Sequence, residues 1–191
     1  MGYAATRLKV ARSLPKNGIG AEIGVWKGDY SAILLREATP ECLHLIDPWS
    51  VREDPSHASA WYGAGSGVDM DAILRGVVER FAPEIGAGQV VIHRAPSTDA
   101  MAALAADSLD FVYVDGDHAY DGVKADLEIS VLRLKPGGWL CVDDHQTGKW
   151  WGDGVVRAAN ELLGAYPRAL QVLFCSDSQM VIQKTARIAS S

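Results

Sequence analysis

Along the chain, short apolar runs alternate with stretches whose apolar residues recur at helical spacing. Leu8, Val10, Ala11 and Leu14 give 4–14 a helical pattern, which Pro15-Lys-Asn-Gly18 ends. The run 20–25 closes in glycines, and a helical pattern follows over 30–37, a strand, turn and helix in sequence. A second run, 43–47, ends at Asp47, where Pro48 stops it. The polar stretch 49–68, with Pro55, Gly63, Gly65 and Gly67, is too long for an ordinary connection and predicts a lid or acceptor loop. Beyond it the pattern predicts helices over 69–81, 97–106, 120–134 and 154–166. Strands are predicted over 89–93, 109–114, 139–142, 170–175 and 179–184, with Lys135-Pro-Gly-Gly138 as a turn. Only Ser176-Asp-Ser178 separates the last two strands, far too little for a parallel crossover, so they form an antiparallel hairpin. The fold class expected is α/β: one domain over 1–191 with a doubly wound, seven-stranded, mostly parallel sheet. The small polar end, 186–191, is expected to fray.

Composition narrows the function. With 191 residues and 48% apolar content the chain suits a single core covering both sheet faces. A formal charge of −6, without a dense Lys or Arg stripe, argues against a nucleic-acid partner held by phosphate neutralisation. No run approaches the roughly 18 apolar residues of a membrane span, and no leader-type segment opens the chain, so the expectation is a cytoplasmic protein without membrane attachment. A homodimer is left open. Cys42, Cys141 and Cys175 are widely spaced and odd in number, which predicts reduced core thiols.

In such a sheet, ligands bind beyond the C-terminal strand ends where the strand order reverses. Glu22-Ile-Gly24-Val-Trp26-Lys-Gly28 lies at the first of these ends. Its glycines allow a tight turn and close backbone approach to a ligand, while Glu22 can meet a polar or cationic part of it. Asp47 ends the next strand, where a carboxylate can accept both hydroxyls of a ribose. The spacing E-x-G-x-x-x-G differs from the dinucleotide fingerprint G-x-G-x-x-G and disfavours a nicotinamide cofactor.

These pieces, with Leu45-Ile-Asp47, Leu109-Asp-Phe-Val-Tyr-Val-Asp115, Leu134-Lys-Pro-Gly-Gly138 and the terminal hairpin, resemble the class I S-adenosylmethionine-dependent methyltransferases over nearly the whole chain. The resemblance implies a Rossmann-like fold and S-adenosylmethionine as cofactor, held by Glu22, Gly24, Gly28, Ser31, Asp47 and Asp115. It places the adenine near His93 and Ser97. Trp26 stands where many members have a glycine, which alters the path of the loop.

A second constellation bears on reaction type. Asp115 ends one strand and Asp143-Asp144 its neighbour, about 5 Å away at sheet spacing. Three carboxylates there repel one another unless a cation joins them; the alternative is that they cap turns and helices without a metal. A carboxylate majority favours Mg²⁺ or Mn²⁺ over a zinc site built on His118 and His145. Asp115-Gly-Asp117-His118 with Asp143-Asp144 resembles the metal-dependent O-methyltransferases of macrolide and aminocoumarin sugars, and more distantly the catechol O-methyltransferases. By that resemblance Asp115, Asp143 and Asp144 correspond to metal ligands and Asp117 or His118 to the catalytic base. His118 is preferred, since an Asp beside a cation stays ionised and is a weak proton acceptor; His145 is a base or an orienting neighbour. His44 and His57 receive no role.

Trp49, Trp61, Tyr62, Trp150 and Trp151 fall in loops at this edge, where flat rings pack against each other or against a sugar ring. The partner expected is a small hydroxyl-rich acceptor, a carbohydrate first. The small, Ala- and Gly-rich chain resembles actinobacterial members of the group, for which a methylated mannose oligosaccharide or polysaccharide precursor is the narrowest reading. A phenolic acceptor is one alternative, and a cofactor-binding module without chemistry is another.

Overall fold

A computed structural model describes residues 2–53, 57, 60, 62–63 and 65–188. Pro55, Trp61 and the end from Ala189 lie outside these. The described chain runs α1 (Tyr3–Ser13), β1 (Ile19–Ile23), α2 (Asp29–Ala38), β2 (Cys42–Asp47), α3 (Met70–Arg80), α4 (Ala82–Gly86), β3 (Val90–Arg94), α5 (Ser97–Ala102) and β4 (Leu109–Val114). It continues through α6 (Tyr120–Arg133), β5 (Leu134–Val142), α7 (Gly154–Ala165), β6 (Leu170–Ser176) and β7 (Gln179–Lys184). The seven strands form one sheet in the order β3-β2-β1-β4-β5-β7-β6, with β7 antiparallel to both its neighbours. This is the doubly wound, Rossmann-like sheet with a reversed C-terminal strand.

Strands buried on both faces read as apolar runs, and their alternate residues supply two cores. Val112, Val114, Leu140 and Val142 face Leu127, Val131, Ala158 and Leu162 of α6 and α7. Phe111, Tyr113, Leu43 and Leu45 face Val10 of α1, Leu14 just beyond it, Leu34 of α2 and Val77 of α3. Of the cysteines only Cys141 is fully buried; Cys175 is exposed on β6, because an edge strand has sheet on one side only. Among the described residues no helix is long and apolar enough to cross a membrane.

Three local departures from the expected elements have physical causes. Helix α3 stops at Phe81, and Pro83, suited to a first helical turn, starts the short α4. The 135–138 tract lies within β5: Leu134 pairs with Leu109 before the register shifts to Phe111↔Trp139. This is a bulge rather than a turn preceding the strand. The hairpin turn is two residues, Asp177 and Ser178, both at positive φ, which matches the twist of the flanking strands.

At the C-terminal ends, the ladder continues one residue past β1, β4 and β5. Gly24 N–H donates to Ile46 O at 2.9 Å, Asp115 N–H to Ile23 O at 2.8 Å and Asp143 N–H to Val114 O at 2.9 Å. The reversal of order lies between β1 and β4, and these bonds put Gly24, Asp115 and Asp143 in one row there. At the opposite end of the sheet Lys184 is fully buried, its Nζ 2.7 Å from Asp107 Oδ1, 2.8 Å from Val131 O and 2.7 Å from Leu134 O. Lys184→Ala strips all three acceptors of their donor and is expected to cost about 3 kcal/mol or more. Denaturant unfolding measures this, and a loss below about 1 kcal/mol would mean that the acceptors find other partners.

Candidate active site

A cavity of about 790 Å³ opens over the row of strand ends. On its β1 side, Gly24 at φ 85 and Gly28 at φ 75 carry the loop into α2. A Cβ on Gly24 would come within 2.0 Å of Asp115 O, so no other residue fits there. Asp47 fastens this loop: Oδ2 accepts from Val25 N–H and Trp26 N–H, each at 3.0 Å, and Oδ1 accepts from Trp49 N–H at 2.7 Å. Burial raises the Asp47 carboxyl, and these three donors oppose the rise. Glu22 is buried and accepts from Ser31 Oγ; burial lifts its carboxyl to about 8 against that bond. Glu22, Gly24, Trp26 and Asp47 all line the cavity, while Ser31 supports Glu22 from beneath.

The acidic half gathers differently from the sequence expectation. Ligand atoms of Asp115, His118 and Asp144 lie within 4.8 Å of one another. His118 Nε2 is 3.1 Å from Asp144 Oδ2 and 3.6 Å from Asp115 Oδ1, buried and without a well-directed hydrogen bond. Asp143 is not brought into this group. Its Oδ2 accepts from Tyr3 Oη at 3.0 Å and Tyr113 Oη at 2.9 Å, and its Oδ1 from Asp144 N–H at 2.7 Å and from Gln179 Nε2. Those donors leave the carboxylate facing inward. The φ of 51° at Asp144 turns the next residue outward instead, so the ligand set offered is two carboxylates and an imidazole rather than three carboxylates.

Burial, reinforced by the neighbouring Asp143 carboxylate, pushes Asp115 well above the usual carboxylate range. Asp144 shows the opposite balance: burial raises it, but the His118 and Gln146 contacts hold it below that range. Two carboxylates of such different tendency around one imidazole form an arrangement that a divalent cation would satisfy.

Asp117, the other base candidate, is tied up at the cavity mouth. Its Oδ1 is 2.9 Å from His57 Nε2 and its Oδ2 accepts from Arg52 Nη2 at 3.0 Å. His57 is therefore a buried partner of Asp117 rather than a lone surface histidine. Arg52 N–H also donates to Tyr62 O at 2.8 Å. Above the cluster, ring centroids run from Tyr62 to Trp150 at 6.3 Å, Trp150 to Trp151 at 5.6 Å and Trp151 to His118 at 4.7 Å. Trp49 belongs to the core instead: it is 1% exposed, and its indole N–H donates to Trp26 O at 3.0 Å. Trp61 is outside the described residues.

Of the sequence candidates, Gly28, Ser31, His93, Asp143 and His145 are not in the cavity wall. His93 faces His44, ring nitrogens 2.9 Å apart on β2 and β3, and burial lowers both. His145 sits 3.7 Å from Cys175 Sγ, behind Asp144. Ser97 does line the cavity, donating to Asp126 Oδ1. Asp126 and Arg7 line it too, and both were missed by the sequence reading. Each is a charged residue on the apolar stripe of its helix, Asp126 beside Val123, Leu127 and Ser130, Arg7 beside Val10 and Ala11, and that placement was the available signal.

Residues 21–145 match the family described as methyltransferase domain. Among solved structures, the chain is similar to the O-methyltransferase NovP, at 17% identity over 94% of this chain and 80% of that one, with a TM-score of 0.67. It is also similar to the O-methyltransferase TomG from Streptomyces achromogenes, solved in complex with SAM, at 18% identity over 95% and 78% and a TM-score of 0.64. An rRNA methylase from Streptococcus thermophilus gives 12% identity over 97% and 98% with a TM-score of 0.63. No curated protein matches.

The buried acids make stability depend on pH. A carboxyl raised on folding contributes stability below its unfolded pKa, and that contribution is lost as pH rises through the folded value. Glu22 moves from 4.5 to about 8 and Asp126, chiefly through burial, from 3.8 to about 7. The ligand-free protein should therefore lose stability as pH rises across this window. In thermal unfolding, Glu22→Gln and Asp126→Asn should each flatten the profile; a slope identical to wild type in both would refute the assignment.

Proposed function

Because the chain belongs to the methyltransferase domain family, we propose that it moves the methyl group of S-adenosylmethionine onto a hydroxyl of a small ring-shaped acceptor, a sugar or oligosaccharide, with the help of Mg²⁺ or Mn²⁺. The observation that carries this reading is the Asp115, His118, Asp144 cluster at the base of a cavity walled by Tyr62, Trp150 and Trp151. A volume of about 790 Å³ has room for donor and acceptor together. The donor set fits a hard cation, since the Asp115 and Asp144 carboxylates converge on one cavity, and His118 Nε2, buried beside them without a directed partner, is left for the proton.

Asp115 and Asp144 would hold the ion, which when bound stabilises negative charge developing on an acceptor oxygen. His118 takes the hydroxyl proton at Nε2, the atom that faces both carboxylates. Asp117 cannot serve equally well while His57 and Arg52 occupy its two oxygens. Glu22 and Asp47 support the donor side, and Trp26, at φ 54, lines the cavity from the loop between Gly24 and Gly28. Methyl transfer then needs alignment of oxygen, carbon and sulfur and exclusion of water, which the Tyr62, Trp150 and Trp151 rings can provide. The −6 charge and the small cavity favour this over an RNA acceptor.

The test is transfer from labelled S-adenosylmethionine to a panel of sugars and catechols. Sugar turnover should need Mg²⁺ or Mn²⁺ and vanish with chelator. Asp144→Ala should lower kcat/KM about a hundredfold or more, and His118→Ala should lower kcat by about 10² to 10⁴ while cofactor affinity is kept. Rates indifferent to chelator and to Asp144→Ala would remove the metal, and turnover of phenols alone would replace the sugar.

A further inference from the structure

Arg7 comes from α1, outside the 21–145 segment that matches the family, yet it lines the cavity at the meeting of β1 and β4. Its Nη2 donates to Asp115 Oδ2 at 2.8 Å and its Nη1 to Tyr3 Oη at 3.2 Å. Its Nε lies 3.2 Å from Asp143 Oδ2 without the alignment of a hydrogen bond. The guanidinium rests on aromatic rings, 4.2 Å from the centroid of Tyr30, 5.4 Å from Tyr3 and 5.5 Å from Tyr113. Tyr30 also ties the helix down, its hydroxyl donating to Arg7 O at 3.1 Å. The fork is thus held in a fixed place, with one hydrogen on each terminal nitrogen that has no protein acceptor among the described residues.

The amino-acid end of S-adenosylmethionine carries an ammonium, a sulfonium and a carboxylate. Glu22 and Asp47 line the donor side of the cavity and suit the two cations, but the carboxylate would meet repulsion from these groups and from Asp115 and Asp144 beyond them. Arg52, the other guanidinium lining the cavity, is bonded to Asp117 at the mouth. We propose that Arg7 is the residue that receives the carboxylate of the methyl donor, its two remaining N–H groups meeting the two carboxylate oxygens. A planar guanidinium is suited to such paired recognition, and the surrounding rings spare it reorganisation when the donor enters. The N-terminal helix thereby becomes part of the cofactor site. This inference rests on the reading of S-adenosylmethionine as donor.

Calorimetry with S-adenosylhomocysteine and its decarboxylated analogue, which keeps the adenosine, sulfur and ammonium, isolates the contact. The wild-type protein should prefer S-adenosylhomocysteine by about tenfold or more. Arg7→Met should abolish that preference by weakening S-adenosylhomocysteine while binding the analogue as well as before or better. Arg7→Gln, a neutral side chain that can still donate a hydrogen bond toward Asp115, should do the same and guards against a folding defect in Arg7→Met. No preference in the wild type, or a preference retained in either folded variant, overturns the proposal. No binding of either ligand by the wild type would instead overturn the donor reading itself.

Discussion

The site depends on one constraint: a parallel ladder that runs a residue beyond the strands at the point where their order reverses. Backbone bonds from Gly24, Asp115 and Asp143 align these residues whatever their side chains prefer. Carboxylates are consequently held side by side at spacing that would drive them apart in a flexible chain. The fold accommodates this with donors from remote segments, Tyr3 and Arg7 from the first helix, Tyr113 from β4 and Gln179 from the hairpin. The hairpin is therefore more than an edge to the sheet, because Gln179 faces the buried Asp143 only when β7 runs antiparallel beside β5.

The same constraint separates what the sequence reveals from what it hides. Strand identity, the glycine loop and the place of Asp47 at the end of β2 were legible because their signals are local: an apolar run, a need for positive φ, and an acid ending the next strand. That Asp143 and Asp144, both read as metal ligands, face different surroundings was not a local signal. Adjacent residues at a strand end point to opposite sides, and which one faces the cavity depends on the left-handed turn at Asp144 and on Tyr3, 140 residues away in the chain. His57 was unreadable for the same reason, its partner Asp117 being 60 residues distant. The sequence leaves Trp49 open between packing and an acceptor contact, and the structure places it in the core, its indole N–H on Trp26 O.

The two halves of the cavity are mechanically joined at Gly24. A backbone carbonyl packs where any Cβ would stand, so the donor loop and the strand carrying Asp115 cannot shift independently. Ser31 under Glu22 and the three donors on Asp47 add rigidity on one side, while Ser97 and Asp126 add it on the other.

The contact of Arg52 and His57 with Asp117 has a different character. Asp117 sits between two members of the acidic cluster in the chain, so the outer segment grips the very loop that positions them. Arg52 is 49% exposed in this contact, which places it among ion pairs that dissolved salt screens. Beside the Tyr62, Trp150 and Trp151 rings, the mouth of the cavity thus carries an ionic contact whose outer member, Arg52, is open to exchange with dissolved ions.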